Sequence, residues 1–217
     1  RCVPERGLPS DVGCVVDNVG TVLNIADALE GKAVTEKYLS VVGEVEHPIQ
    51  LRVPIGTPVL ECVKAAHPTV SDFALIMGGP MMGKQLTEQA AMEQAVVTKT
   101  TGNILVLPKE HYLFRKASLP METVRKQTKS ACLQCKMCTE LCPRYLIGHQ
   151  IHPNLMMRGL WLEPTITDNE EYLRMYGEAA NCCSCGVCEM FACPMGLSPR
   201  KVNDYFKAEF RKRGIQV

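Results

Sequence analysis

The sequence predicts an α+β protein in which a β-grasp module is followed by an all-helical, ferredoxin-like domain. Three observations predict it. Between residues 37 and 108 apolar positions alternate in short runs around one helical stretch. Beyond residue 111 they recur at the three- and four-residue spacing of helices, and most of the twelve cysteines crowd there into two runs. A chain of 217 residues has room for one large or two small domains with real cores. The expected division is a coreless piece over 1–36, the β-grasp module over 37–110 and the helical domain over 111–217.

The first piece reads as a strand at Gly13-Cys14-Val15-Val16-Asp17, then a helix capped by Thr21. Val22, Ile25 and Leu29 share a face of that helix, which stops before Gly31. With no core of its own, and with Arg1 in place of an initiating methionine, this piece is expected to be the tail of an upstream domain.

Residues 39–45 and 49–53 alternate, and His47-Pro48 turns one into the other as a hairpin. Thr57 as cap and Pro58 as first helical residue open a helix running through Leu60, Val63 and Lys64 to Ala66. Strands follow at 73–77, at Val96-Val97 and at 104–107. Two strands, a helix and further strands is the order of a β-grasp module. Gly78-Gly79-Pro80 lacks the Gly-Lys-Ser/Thr ending of a phosphate loop and reads as a tight turn.

Residues 109–131 are polar and basic, a linker passing into a helix. The 39 residues between Cys142 and Cys182 are expected to form two helices. Thr167 with Glu170 makes a capping box for a helix carrying Tyr172, Leu173, Tyr176 and Ala179. Ser198-Pro199 opens the last helix, whose stripe is Val202, Tyr205, Phe206 and Phe210. Arg211-Lys212-Arg213 sit at its dipole-favoured end, and Gly214 closes it.

The chemistry lies in the cysteines. Cys132, Cys135, Cys138 and Cys142-Pro143 form one run, and Cys182, Cys185, Cys188 and Cys193-Pro194 form its echo. Three thiols at two-residue intervals wrap the backbone around a compact object, and the fourth, before proline, leaves in a new direction. Bacterial ferredoxins hold iron–sulfur cubes with this run, the fourth cysteine ligating the other cluster. Two [4Fe-4S] clusters with crossed ligation are therefore expected, one on Cys132, Cys135, Cys138 and Cys193, the other on Cys182, Cys185, Cys188 and Cys142. A zinc ribbon uses pairs of cysteines, and a third would crowd a tetrahedral site. A disulfide framework belongs to small secreted domains. His149 and His152 are read as packing or solvent residues, since eight cysteines already satisfy two cubes. The leftover cysteines are Cys2, Cys14, Cys62 and Cys183, and the adjacency of Cys182 and Cys183 leaves two candidates for one corner; Cys182 keeps the two-residue spacing.

A net charge of +1 carries no general signal for polyanions, so nucleic acid is not an expected partner. Residues 1–108 carry 8 basic and 12 acidic side chains, and residues 109–217 carry 16 and 11. The cluster half is thus mildly basic, and Lys136 and Arg144 are the cations nearest the runs in sequence. No apolar run approaches the ~18 residues of a membrane span. No signal peptide is visible and the thiols call for a reducing compartment, so a cytoplasmic protein is expected.

With these motifs assembled, the chain resembles the cobalamin reductases of bacterial propanediol-utilisation microcompartments, and more distantly the C subunit of the Rnf electron-transport complex. The resemblance spans nearly all of the sequence. It is carried by Leu8-Pro-Ser-Asp-Val-Gly13 with Asn18-Val-Gly-Thr21, by Met77-Gly-Gly-Pro-Met-Met-Gly83, by Cys142-Pro-Arg-Tyr-Leu-Ile-Gly-His149 with Met156-Met157-Arg158, and by Cys193-Pro-Met-Gly-Leu-Ser-Pro-Arg200. Four residues precede the last ligand of the second run, where the Rnf subunit is expected to carry three, which favours the reductase side.

The resemblance implies a β-grasp domain of the soluble-ligand-binding (SLBB) type. It implies an upstream domain binding NADH and FMN through a glycine-rich loop that this sequence does not contain. The full-length protein would be an NADH-dependent cobalamin reductase, and this chain its electron carrier. Partners implied are cobalamin and the corrinoid-handling enzymes, namely an adenosyltransferase and the diol dehydratase reactivation system, with the microcompartment shell as a further partner and location. Two alternatives stand beside it: an Rnf-type subunit of a ferredoxin:NAD oxidoreductase, and a docking scaffold whose clusters serve the fold.

Overall fold

A computed structural model describes residues 1–217, which form two units, Val16–Ser118 and Arg1–Val15 with Leu119–Val217. These boundaries differ from the expected 36 and 110. Arg1–Val15 joins the helical unit because polar contacts hold it there: the Cys2 thiol reaches Ile147 O at 3.3 Å, His149 Nε2 stands 2.9 Å from Val3 O, and Arg6 Nε donates to Asn181 Oδ1 at 3.3 Å. The strand expected at 13–17 does not form. No neighbouring strand pairs with it, and Val15 and Val16 stay exposed.

In the sheet unit, helix α1 (Val19–Leu29) is capped by Asn18 rather than Thr21, the Asn18 Oδ1 accepting from Gly20 N at 2.9 Å. Strands β1 (Glu36–Gly43) and β2 (Ile49–Pro54) form the expected antiparallel hairpin. Helix α2 (Val59–Ala65) starts one residue late, with Pro58 at the cap, because the Thr57 hydroxyl donates to Pro54 O at 2.7 Å. Then come β3 (Phe73–Met77), β4 (Lys84–Leu86), α3 (Gln89–Gln94), β5 (Asn103–Pro108) and α4 (Tyr112–Ser118). The sheet runs β2-β1-β5-β3-β4, with β1 and β5 parallel and every other pair antiparallel.

Val41, Leu75, Ile104 and Val106 fill the core with Val59, Cys62 and Val63 of α2. Cys62 is thus a small apolar residue of this core, its thiol pushed up by burial. Three elements escaped the sequence: β4 and α3, too short for a period to emerge, and α4, which lies in the stretch read as linker. Conversely, Val96-Val97 forms only a single bridge, Val96 to Pro58, with Val97 buried beside it.

Gly43 ends β1 at φ 107°, and a Cβ there would lie 2.1 Å from Val106 O. Gly43→Ala is expected to destabilise the sheet unit by about 3 kcal/mol or more, combining a disfavoured φ with a backbone overlap. Chemical denaturation followed by circular dichroism measures it.

The helical unit contains α5 (Met121–Ala131), α6 (Met137–Glu140), α7 (Pro143–Leu146), α8 (Pro153–Gly159), α9 (Asn169–Tyr176) and α10 (Pro199–Arg213). Three helices lie between Cys142 and Cys182, where two were expected. Gly148 at φ 95° and Pro153 at the start of α8 divide what would be one helix. Helix α9 is capped by Asp168, whose Oδ2 accepts from Glu171 N at 2.8 Å, one residue beyond the expected Thr167. Ser198-Pro199 and Gly214 bound α10 as expected, and its Val202, Phe206 and Phe210 are fully buried. Phe206 stacks on Tyr176 with centroids 4.1 Å apart, and Tyr176 donates to Gly159 O at 2.9 Å, tying α8, α9 and α10 together.

Candidate metal centres

Both cysteine loops adopt the same unusual backbone. Gln134 and Lys136 have φ of 54° and 67°, and Ser184 and Gly186, fifty residues further on, have 56° and 85°. Left-handed residues two and four positions after the first cysteine curl each loop, so that its three thiols face inward instead of alternating. The match also sets the register. Cys132, Cys135 and Cys138 correspond to Cys182, Cys185 and Cys188, which makes Cys182, and not Cys183, the counterpart of the first ligand.

The runs differ by one residue before the last cysteine. After Cys138 the chain makes the ordinary helical turn of α6, whereas Cys188–Ala192 forms a π-helical turn. A π turn holds one more residue than an α turn. It therefore absorbs the extra residue of the second run and delivers Cys193 at the end of the turn, as α6 delivers Cys142.

Two cavities result. The first, with about 340 Å³ of empty space, is lined by Cys132, Cys135, Cys138 and Cys193. The second, with about 310 Å³, is lined by Cys142, Cys182, Cys185 and Cys188, with Cys183 as a fifth thiol. Each run sends its fourth cysteine to the cavity of the other, so all eight predicted residues come together in two sets of four. No three His, Cys, Asp or Glu side chains converge tightly enough for a single metal ion. All twelve cysteines are free thiols.

The most buried thiols carry the largest electrostatic shifts. Burial pushes the Cys138 thiol up to about 12, and Cys132, Cys193 and Cys135 push it further in the same direction. Burial likewise raises Cys188, followed by the influence of Cys182, Glu189, Cys138 and Cys185. Such thiols stay protonated until a metal displaces the proton. Cys138 and Cys188 also pack together with Ala192, so the two cavities adjoin at their most buried ligands.

Hydrogen bonds to sulfur come from both loops. Gln134 Nε2 donates to Cys132 Sγ at 3.2 Å, and Ser184 N donates to Cys182 Sγ at 3.3 Å. Gln134 is itself held by Asn154 O at 3.1 Å, and the Thr139 hydroxyl donates to Asn154 Oδ1 at 2.6 Å. Of the expected cations, Lys136 lines the first cavity, and Arg144 is among the groups that, against the upward push of burial, lower the thiol of Cys183. Sequence reasoning missed Arg200, Asn203 and Lys207. Arg200 and Asn203 line the second cavity, Arg200 paired with buried Glu189 at 3.0 Å, and Lys207 donates to Cys182 O. Their three- and four-residue spacing along α10 was the available signal, since it places all three on one face. The histidines stand apart: His149 is buried against Val3 O, and His152 Nδ1 meets Glu178 at 2.8 Å.

Residues 131–198 match the 4Fe-4S dicluster domain family. Over 213 residues the chain is 43% identical to the cobalamin reductase PduS of Citrobacter freundii, covering 97% of this chain and 45% of that protein. It is 31% identical over 153 residues to the C subunit of the ion-translocating oxidoreductase complex of Salmonella arizonae, covering 69% of this chain and 20% of that one. Among solved structures, an NAD+-reducing [NiFe]-hydrogenase in the H2-reduced state covers 83% of this chain and 28% of its own at 16% identity, with a TM-score of 0.36. The chain spans less than half the length of the reductase it matches. On near-complete coverage of its own length, with a 4Fe-4S dicluster segment at the thiol-lined cavities, the chain is a relative of the cobalamin reductases and, more distantly, of the C subunits.

Proposed function

We propose that this chain is the electron-carrying part of a cobalamin reductase, with one [4Fe-4S] cluster on Cys132, Cys135, Cys138 and Cys193 and a second on Cys142, Cys182, Cys185 and Cys188. The observation that carries the reading is the sorting of eight thiols, four and four, into two cavities by exchange of the last cysteine of each run. Bound there, each cluster would change by one electron at a time, matching the steps of a corrinoid cobalt and halving the pair that NADH delivers as hydride. The chain's own part is to hold and tune. Gln134 and Ser184 N direct hydrogen bonds at ligand sulfur, and Lys136, Arg200 and Lys207 bring positive charge to the cavities, all of which ease the addition of an electron.

FMN and NADH bind, in this reading, outside residues 1–217, and electrons leave towards cobalamin held by corrinoid-handling partners, an adenosyltransferase or the diol dehydratase reactivation system. The sheet order, with parallel first and last strands at its centre, supports a β-grasp module of the SLBB type. The relation to propanediol-utilisation proteins supports a cytoplasmic place within a microcompartment and a shell contact. No helix is long and apolar enough to cross a membrane.

Anaerobically prepared protein is expected to contain about eight irons and eight acid-labile sulfides per chain. After reduction with dithionite it should show an electron paramagnetic resonance signal that disappears on addition of cob(III)alamin. Zinc in place of iron, or a signal indifferent to the corrinoid, refutes the proposal.

A further inference from the structure

We propose that the side chain of Gln134 sets the reduction potential of the first cluster, raising it while leaving the second cluster untouched. Gln134 acts through Cys132 and is therefore a positioning residue. The inference rests on the two-cluster reading and adds to it a residue that tells the two clusters apart.

Gln134 and Ser184 hold the same place in their loops, two residues after the first cysteine, with φ of 54° and 56°. The left-handed backbone does not itself ask for glutamine, since serine adopts it equally well in the second loop. The side chains then part. Ser184 Oγ donates to Asp204 Oδ1 and accepts from Lys207 Nζ at 3.2 Å, so its hydroxyl is engaged by α10.

Gln134 Nε2 donates to Cys132 Sγ at 3.2 Å and to Asn154 O at 3.1 Å, which uses both of its hydrogens. Asn154 is buried and fixed in turn. Its Oδ1 accepts from the Thr139 hydroxyl at 2.6 Å, and its backbone N–H donates back to Thr139 Oγ1 at 3.4 Å. Thr139 belongs to α6 and Asn154 to α8, so two helices hold the amide on the sulfur before any charge arrives there. A reduced cluster carries one more negative charge, shared with its ligand sulfurs. A donor aimed at one of them stabilises the reduced form more than the oxidised form, which raises the potential. The electron is supplied by dithionite in the test; no bond forms or breaks and no proton moves.

The test is a dithionite titration of anaerobically prepared protein, followed by electron paramagnetic resonance, with iron counted in each sample. Wild type should hold about eight irons and be reduced in two one-electron steps. Gln134→Met fills similar space without an N–H and should keep about eight irons. It should lower one step by about 59 mV, a tenfold change for one electron, while the other step stays in place. Gln134→Lys, which returns an N–H donor with positive charge, should move the same step upward. No shift in Gln134→Met would overturn the proposal. So would an equal shift of both steps, or a shift of the same sign in both variants, each marking a packing effect. Iron falling to about four in Gln134→Met would overturn it too, making the glutamine a prop of the loop. All these results leave the two-cluster reading intact, whereas wild type below about five irons would overturn both.

Discussion

Replacing Cys138 and Cys193 together by alanine is expected to leave about four irons per chain, whereas replacing Cys188 and Cys193 together should leave almost none. The contrast follows from which thiols share a cavity. Cys138 and Cys193 line the first, so the second of these substitutions removes a ligand from a cluster already lost. Cys188 lines the other cavity, so its loss adds to that of Cys193. If each run instead closed on its own fourth cysteine, Cys188 and Cys193 would share a cluster, and the two double variants would exchange results. Each substitution should therefore be measured alone as well, all three singles giving about four irons. Cys138 and Cys188 are also the most buried thiols of their three-cysteine loops, so neither substitution is a change at an exposed rim.

Glu163→Ala is expected to destabilise the helical unit by about 3–5 kcal/mol, the cost of stranding a buried partner charge. Glu163 is buried and receives Arg125 Nη2 at 3.0 Å and the Tyr205 hydroxyl at 3.2 Å, with Arg213 Nη2 at 4.0 Å. These partners come from α5 and from the middle and C-terminal end of α10, and the same Arg125 also donates to Leu160 O beyond α8. One carboxylate thus joins the helices that flank the cysteine loops. Trp161 is the single tryptophan of the chain and lies in this unit, so its fluorescence during chemical denaturation reports the loss directly. Glu163→Gln keeps the shape and accepts from Arg125 with a neutral oxygen, and it should cost less than the alanine. Equal stability of Glu163→Ala and wild type would show that the carboxylate does not hold the helices.

Much of this protein was readable before any coordinates. The Cys-x2-Cys-x2-Cys runs, each ending in Cys-Pro, marked the eight thiols that line the two cavities, because close spacing in sequence forces closeness in space. The hairpin of β1 and β2 and the stripe along α10 were equally local, each set by a period of one element. Caps were less secure: Asn18, Pro58 and Asp168 stand where Thr21, Thr57 and Thr167 were expected, since a cap depends on which side chain the approaching backbone brings within reach.

By itself, then, the sequence marked the eight clustered thiols, the α+β class and the cations' excess in the second half, all consequences of residue type and short-range spacing. Tertiary structure alone decided the rest. It seated Arg1–Val15 on the helical unit and set Arg200 and Lys207 of α10 beside a loop met many residues earlier. Those placements depend on packing between segments distant in the chain, and no local period encodes them.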